Sequence, residues 1–287
     1  MKKIFLVLLV CLMLCGCKTE KTVDLDSINE FNYDDVTTLD FDVHSSEYLL
    51  VRTSDFKVLY SKDANTIIYP ASLTKLMTLD TVLHLENDLY QTSSITYDQV
   101  WDLIYDDASL ANIRIDTEYT LKDLLYALVL PSGADAAVAL ENYFSNKGLN
   151  LVEEMNKQLK ELGCYDTNFV NTTGLHDDNH YTTLNDLLKI VMDVLKFDEG
   201  RQLLETMYYY TEDDLLMRSS VRSIKNNKAE ILGGKTGYTT ESGQSVIVLY
   251  KANNRSYILL LANAMGDYSL EQYWHYDDAM EIINQLY

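Results

Sequence analysis

The sequence predicts a mixed α/β (α+β) fold: one antiparallel sheet built from both ends of the chain, flanked by helices, with a helical subdomain. Three observations predict it. Short strand-like runs occur at Tyr48 to Arg52 and Lys57 to Tyr60. Continuous apolar runs occur at Gln244 to Tyr250 and Tyr257 to Ala262. Between these two regions apolar residues recur with helical spacing. Strands at both ends and helices in the middle are joined most economically as one sheet with helices on its faces.

The N-terminus reads as an export signal over residues 1–16. Lys2 and Lys3 give a positive start, and an unbroken apolar run of 12 residues follows from Ile4 to Cys15. Such a run fits a signal peptide and is too short to span a bilayer as a helix. It ends Leu14-Cys15-Gly16-Cys17. That string resembles the bacterial lipobox, in which a small residue precedes a cysteine that is acylated and becomes the mature N-terminus. An ordinary signal peptide with an incidental cysteine is the alternative. On the lipobox reading Cys17 carries the lipid. Residues 17–45, with Asp24, Asp26, Glu30, Asp34, Asp35, Asp40 and Asp42, then form an acidic tether. A folded domain follows over residues 46–287. The chain is expected on the outer face of a bacterial cytoplasmic membrane, held there as a lipoprotein.

Composition narrows the function classes. Of 287 residues, 47% are hydrophobic, enough for a sizeable core. The net charge is −21, and losing Lys2 and Lys3 with the signal would make it −23. A chain this acidic repels phosphate backbones, so nucleic acid is excluded as a partner. Cleavage before Cys17 would leave Cys164 as the single unlipidated thiol, which rules out a disulfide within the mature chain. Cys164 follows Gly163 after an apolar helical pattern and is expected to be a buried structural thiol. The 22 tyrosines are expected to be amphipathic surface and core.

The elements follow in order. Tyr48 to Arg52 and Lys57 to Tyr60 flank Ser54-Asp55 as a hairpin. A helix is expected from Ser72 to about Glu86. In the next helix Leu121, Leu124, Leu125, Leu128 and Val129 share a face, and Thr120 with Asp123 resembles a capping box. Ala136, Ala139, Leu140, Tyr143 and Phe144 mark a third helix. Val152, Met155, Leu159 and Leu162 mark a fourth, with Gly163 as its stop. Thr183 and Asp186 open another, carrying Leu187, Leu188, Val191, Val194 and Leu195. The two C-terminal apolar runs, separated by Asn253-Asn254-Arg255, read as a hairpin covered on both faces. Tyr268 to Leu286 closes the chain as a helix.

Three motifs carry chemistry. In Pro70-Ala71-Ser72-Leu73-Thr74-Lys75 the proline marks a helix start, so Ser72 and Lys75 share a face three residues apart. A desolvated lysine loses preference for its charged form and can take the serine proton. The Ser72 N–H at the helix start is a natural oxyanion donor. Lys235-Thr236-Gly237 on a strand edge offers a cation and a hydroxyl to a carboxylate, and Gly237 permits close approach of a substrate. Pro131-Ser132-Gly133-Ala134-Asp135 joins two apolar helices, where Ser132 could shuttle a proton or merely cap the next helix. Each motif alone is also compatible with an ordinary helix or turn.

Together, their order and spacing agree with Ser-x-x-Lys, Ser-x-Asn and Lys-Thr-Gly, the set shared by penicillin-binding proteins and serine β-lactamases. The surrounding text resembles the low-molecular-mass serine-type D-Ala-D-Ala carboxypeptidases. It does so at 69–78, 128–140, 174–183 and 235–239, and the resemblance runs from about residue 47 to near the C-terminus. It implies a serine β-lactamase/penicillin-binding-protein-like fold. It implies Ser72 as nucleophile, Lys75 as base and Ser132 as proton-transfer partner. Lys235, Thr236 and Gly237 would bind the substrate, the first two holding its terminal carboxylate, and the N–H groups of Ser72 and Tyr238 would form the oxyanion hole. The implied ligands are peptidoglycan stem peptides ending in D-Ala-D-Ala and the β-lactams that mimic them, with no metal or other cofactor.

Ala134 departs from the family's asparagine, which helps bind substrate and orient the lysine. Asp135 is the one neighbour that could partly substitute. A further C-terminal β-domain and amphipathic anchor, common in the family, have no counterpart after the closing helix, and an N-terminal lipid would replace that anchor. His176 and His180, four apart among acids, could suggest a metal pair, but no third histidine has matching spacing and the resemblance makes this stretch a loop near the site. Three rival readings stand beside the peptidase. One is a catalytically weakened module that binds wall peptides. Another is a serine β-lactamase, for which Asp178 would have to activate the deacylating water. The third is a zinc-dependent peptidase.

Overall fold

A computed structural model describes residues 31–287. The signal segment, Cys17 and the first part of the tether lie outside the described residues. Nine strands and eight helices follow in chain order. The strands are β1 (Glu47–Arg52), β2 (Lys57–Lys62), β3 (Thr92–Ser93), β4 (Tyr119–Thr120), β5 (Tyr208–Tyr210), β6 (Leu216–Arg218), β7 (Glu230–Thr239), β8 (Gly243–Ala252) and β9 (Arg255–Ala264). The helices are α1 (Lys75–Leu85), α2 (Tyr97–Tyr105), α3 (Leu121–Val129), α4 (Ala134–Asn146), α5 (Leu151–Glu161), α6 (Leu184–Val194), α7 (Asp198–Leu204) and α8 (Trp274–Leu286).

The main sheet runs β2-β1-β9-β8-β7, antiparallel throughout, so both chain ends do build one sheet. Its central strands separate two cores. Leu49, Val51, Ile247, Leu249, Ile258 and Leu260 face the larger core with the central helices. Their alternates Tyr48, Leu50, Val246, Val248, Leu259 and Leu261 face the smaller core with Ile282 and Ile283 of α8. Burial on both faces is why these strands lack polar alternation.

Residues 31–45, expected as tether, lie against the domain. Asn32 and Thr37 bridge to Lys57 and Tyr60 of β2, running parallel to it. Phe31 and Val36 pack on the larger core, and Leu39, Phe41 and Val43 on the smaller one. Ser45 is buried, with its N–H (2.7 Å) and hydroxyl (2.6 Å) donating to Asp278 of α8. Covering an exposed strand edge removes unpaired backbone groups, which the acidic composition of the segment concealed.

The helix expected from Ser72 begins later. Ala71–Thr74 is a 3₁₀ turn and α1 starts at Lys75. The closing helix likewise starts at Trp274, after a short 3₁₀ turn at Tyr268–Leu270. Cys164 is buried, and burial pushes its thiol well above the ordinary range, as suits a packing residue. No helix among the described residues is long and apolar enough to cross a membrane.

Candidate active site

The 3₁₀ turn carrying Ser72 is wedged between two glycines. A side chain on Gly237 of β7 would meet the Pro70 carbonyl at 2.9 Å, and one on Gly174 would meet the Ala71 carbonyl at 1.9 Å. Gly237 was expected to admit a substrate; its missing side chain also lets the turn carrying Ser72 approach β7 closely. Ala71 sits at φ +48, and Ser132 at φ +67, both in the left-handed region that L-residues enter at a cost.

A three-member relay braces this turn. The Val170 N–H donates to Nδ1 of buried His180 (3.0 Å), which leaves the ring proton on Nε2. Nε2 therefore donates to the Thr74 hydroxyl (2.7 Å), and that hydroxyl donates to the Ala71 carbonyl (2.8 Å). Burial holds His180 down at about 4, so the ring stays neutral at physiological pH. Both ring nitrogens are thus engaged in the protein, and His176 stands apart, edge-on to Tyr69.

Lys75 Nζ donates to Ser72 Oγ at 2.9 Å and to the Thr173 carbonyl at 2.5 Å. It is 1% exposed. Burial lowers it to about 7, against an opposing pull from Asp135. The Thr173 carbonyl is aimed by an Asn171-centred turn. Asn171 Oδ1 accepts from the N–H of Thr173 (3.2 Å) and of Gly174 (2.7 Å), with Gly174 at φ +80.

Lys235, 0% exposed, donates to Ser132 Oγ and to the Thr236 carbonyl, each at 2.7 Å. Burial, and then the like charge of Lys75, pushes it well below its ordinary value. A cleft of about 240 Å³ opens over Ser72 and Lys75, with Ser132, Lys235 and Thr236 outside its lining. Ser72, Lys75, Ala134, Thr173, Gly174 and Tyr238 are among its lining residues. Ser132 and Lys235 are buried, while Thr236 is half-buried on β7 opposite Val246. The Tyr238 side chain is 43% exposed.

Asp135 does not substitute for an amide at position 134. Its carboxylate accepts from the N–H groups of Ala111 (2.8 Å), Ile113 (3.1 Å) and Ala136 (3.0 Å) and so ties α4 to the 111–113 segment. Burial raises its pKa while those donors lower it. Asp178 has a side chain 90% exposed, 3.6 Å from His176.

Sequence reasoning assigned no role to Thr173 or Gly174 and weighed His180 only as half of a metal pair. Thr173 acts through its carbonyl, which any residue supplies. The signal available was Asn171 three residues before a glycine, the signature of a side-chain-closed turn.

Gly174→Ala is expected to lower the melting temperature by roughly 5 °C or more, because a left-handed alanine costs about 1–3 kcal/mol before the overlap with Ala71 is counted. It is also expected to slow acylation of Ser72 at least tenfold, read as penicillin labelling against time. A variant with unchanged labelling would show that the Ala71–Gly174 contact does not set the position of Ser72.

The chain was compared with known proteins. The family model described as D-alanyl-D-alanine carboxypeptidase, peptidase S11, matches residues 34–266. The chain is 29% identical to the D-alanyl-D-alanine carboxypeptidase DacF of Bacillus subtilis, over 75% of this chain and 56% of that one. It is 27% identical to DacA of Haemophilus influenzae, over 78% of this chain and 57% of that one. It therefore spans a little over half the length of these relatives. Its fold is similar to the crystal structure of the Streptomyces K15 DD-transpeptidase, with TM-score 0.74 and 23% identity over 86% of this chain and 98% of the other. It is also similar to the ampicillin-bound penicillin-binding protein D2 of Listeria monocytogenes, with TM-score 0.69 and 20% identity over 86% and 98%.

Proposed function

Because the chain belongs to the D-alanyl-D-alanine carboxypeptidase family, we propose that it is a serine-type D-Ala-D-Ala carboxypeptidase acting on peptidoglycan stem peptides outside the cytoplasm. The observation that carries this reading is the hydrogen bond from a buried, pKa-lowered Lys75 to Ser72 Oγ at 2.9 Å.

Ser72 Oγ attacks the carbonyl of the penultimate D-alanine while neutral Lys75 takes the hydroxyl proton. The peptide C–N bond then breaks, and the departing D-alanine amine needs a proton. In this reading Ser132, which accepts a hydrogen bond from Lys235, passes the proton taken up by Lys75 on to that amine. Lys235 and Thr236 hold the substrate's terminal carboxylate. An arriving carboxylate favours the charged form of Lys235, and that charge in turn disfavours protonation of Lys75. The N–H groups of Ser72 and Tyr238 stabilise the oxyanion. Water then frees the peptide from Ser72. A β-lactam carries the same carboxylate and acyl carbon and acylates the same oxygen.

The substitution at Ala134 favours a second reading, a domain that acylates but turns over slowly. Its methyl lines the cleft and offers no hydrogen bond. The export signal and Leu14-Cys15-Gly16-Cys17 support anchoring through a lipid on Cys17.

The test uses the purified full-length chain with a synthetic peptide ending in D-Ala-D-Ala and, separately, a fluorescent penicillin. The expected result is catalytic release of D-alanine and covalent label recovered on the peptide containing Ser72. Label without release would favour the slow-turnover reading. Neither label nor release, with folding confirmed by circular dichroism, would overturn the proposal.

A further inference from the structure

Asp80 and His84 lie one turn apart on α1, on the side facing Asp193 of α6. One ligand atom from each lies within 4.8 Å of the other two. The arrangement has the features of a built site. Asp80 is completely buried, and its Oδ2 accepts from the Gln158 amide at 2.7 Å. Its Oδ1, equally buried, has no hydrogen-bond partner among the described residues. Asp193 has its Oδ1 held by Lys196 at 2.8 Å and its Oδ2 turned to His84 Nε2 at 2.7 Å. The His84 ring is set edge-on against Phe197, centroids 4.8 Å apart, and its side chain is 44% exposed.

Each carboxylate therefore has one oxygen fixed by an outer donor and the other left for the cluster, the pattern by which outer partners orient metal ligands. Two buried carboxylates with ligand atoms within 4.8 Å of each other repel. A divalent ion between them would relieve that repulsion and would use Asp80 Oδ1, which has no hydrogen-bond partner among the described residues.

We propose that Asp80, His84 and Asp193 form a zinc-type divalent cation site that ties α1 to α6. One imidazole nitrogen and two carboxylate oxygens, with a fourth position open to solvent beside His84, suit Zn²⁺. Lys75 lies on the same helix, five residues before Asp80. The site's role is to fix that helix from its far side, and it takes no part in bond making. It stands independently of the reaction assigned to Ser72.

The experiment uses the full-length chain stripped with EDTA and dialysed, titrated with ZnCl₂ by calorimetry, beside His84→Ala and Asp80→Asn. The wild type is expected to take up one equivalent more than either variant, and its melting temperature is expected to rise with zinc while theirs does not. Zinc bound by a free Cys17 thiol or by surface groups is common to all three proteins and cancels. The far-ultraviolet circular dichroism and cooperative melting of metal-free His84→Ala are expected to match those of the metal-free wild type, which shows the variant folded. Equal zinc stoichiometry and equal thermal response in the wild type and His84→Ala would overturn the site.

Discussion

Ser72→Ala is expected to remove covalent penicillin labelling entirely and to lower D-alanine release by at least about 10⁴-fold, since losing the nucleophile of a serine hydrolase removes the acyl-enzyme route. The structure says why this change can be made cleanly. The 71–74 turn is held by Leu73 N–H on the Pro70 carbonyl (3.1 Å) and by the His180–Thr74–Ala71 relay, none of which uses Ser72 Oγ. Lys75 keeps the Thr173 carbonyl as an acceptor. The melting temperature should therefore stay within about 2 °C of the wild type, as for a near-isosteric change at a half-buried position. The contrast with Gly174→Ala is informative. One variant loses chemistry with the fold intact, and the other loses position and stability together. Labelling that persisted in Ser72→Ala would place the nucleophile elsewhere and undo the assignment of every other group around it.

How much of this was legible in the sequence varies by element. Helices α3, α5 and α6 were readable because each has one apolar face and a capping Asn, Ser or Thr type residue at its start. The two expected capping boxes formed only in half. Thr120 and Thr183 do accept from the N–H groups of Asp123 and Asp186. The two aspartates, however, serve tertiary partners: Asp123 accepts from the Tyr209 hydroxyl, and Asp186 accepts from Asp166 N–H and the Thr167 hydroxyl. Helix α2 escaped notice although its Thr96 and Gln99 form a complete capping box. It buries only Leu103, so its apolar stripe is too thin to register. The short β5–β6 hairpin was missed for a similar reason, since only Met217 among its strand residues is fully buried.

At the site, the short motifs drew attention to Ser72, Lys75, Ser132 and Lys235 through their side chains; Lys75 reaches Ser72 as their spacing suggested, whereas the hydrogen bond from Lys235 to Ser132 was not foreseen. Groups acting through backbone, or through a missing side chain, drew no such attention. The Thr173 carbonyl and the contact between Gly174 and Ala71 depend on a turn that brings residues roughly a hundred positions apart together. Asp135 shows the opposite error. Adjacency in sequence suggested a cleft-facing role, but the start of a helix turns successive side chains about a hundred degrees apart, and Asp135 points to the 111–113 backbone.

Lys75→Met is expected to slow acylation by roughly 10²–10⁴-fold while leaving the fold in place, because a positioned general base is worth about that much and methionine fills most of the same buried volume. The pH dependence makes the test specific. Only the neutral amine can accept the Ser72 proton, and burial places the change of state at about 7. Wild-type acylation should therefore rise with pH through that value and level off above it, whereas the residual rate of Lys75→Met should lack this inflection. Stability moves with the same proton. The folded lysine titrates at about 7 against an ordinary value of 10.5, so between these values the unfolded chain holds the extra proton. Wild-type stability contributed by this group consequently rises with pH across that window, and Lys75→Met should gain on the wild type at acidic pH and lose ground at alkaline pH. An acylation profile flat through neutrality in the wild type would mean that Lys75 is not the base. In that case the buried lysine would be left as a structural cation held by the Thr173 carbonyl, and Ser72 would have to be activated by another group in the cleft.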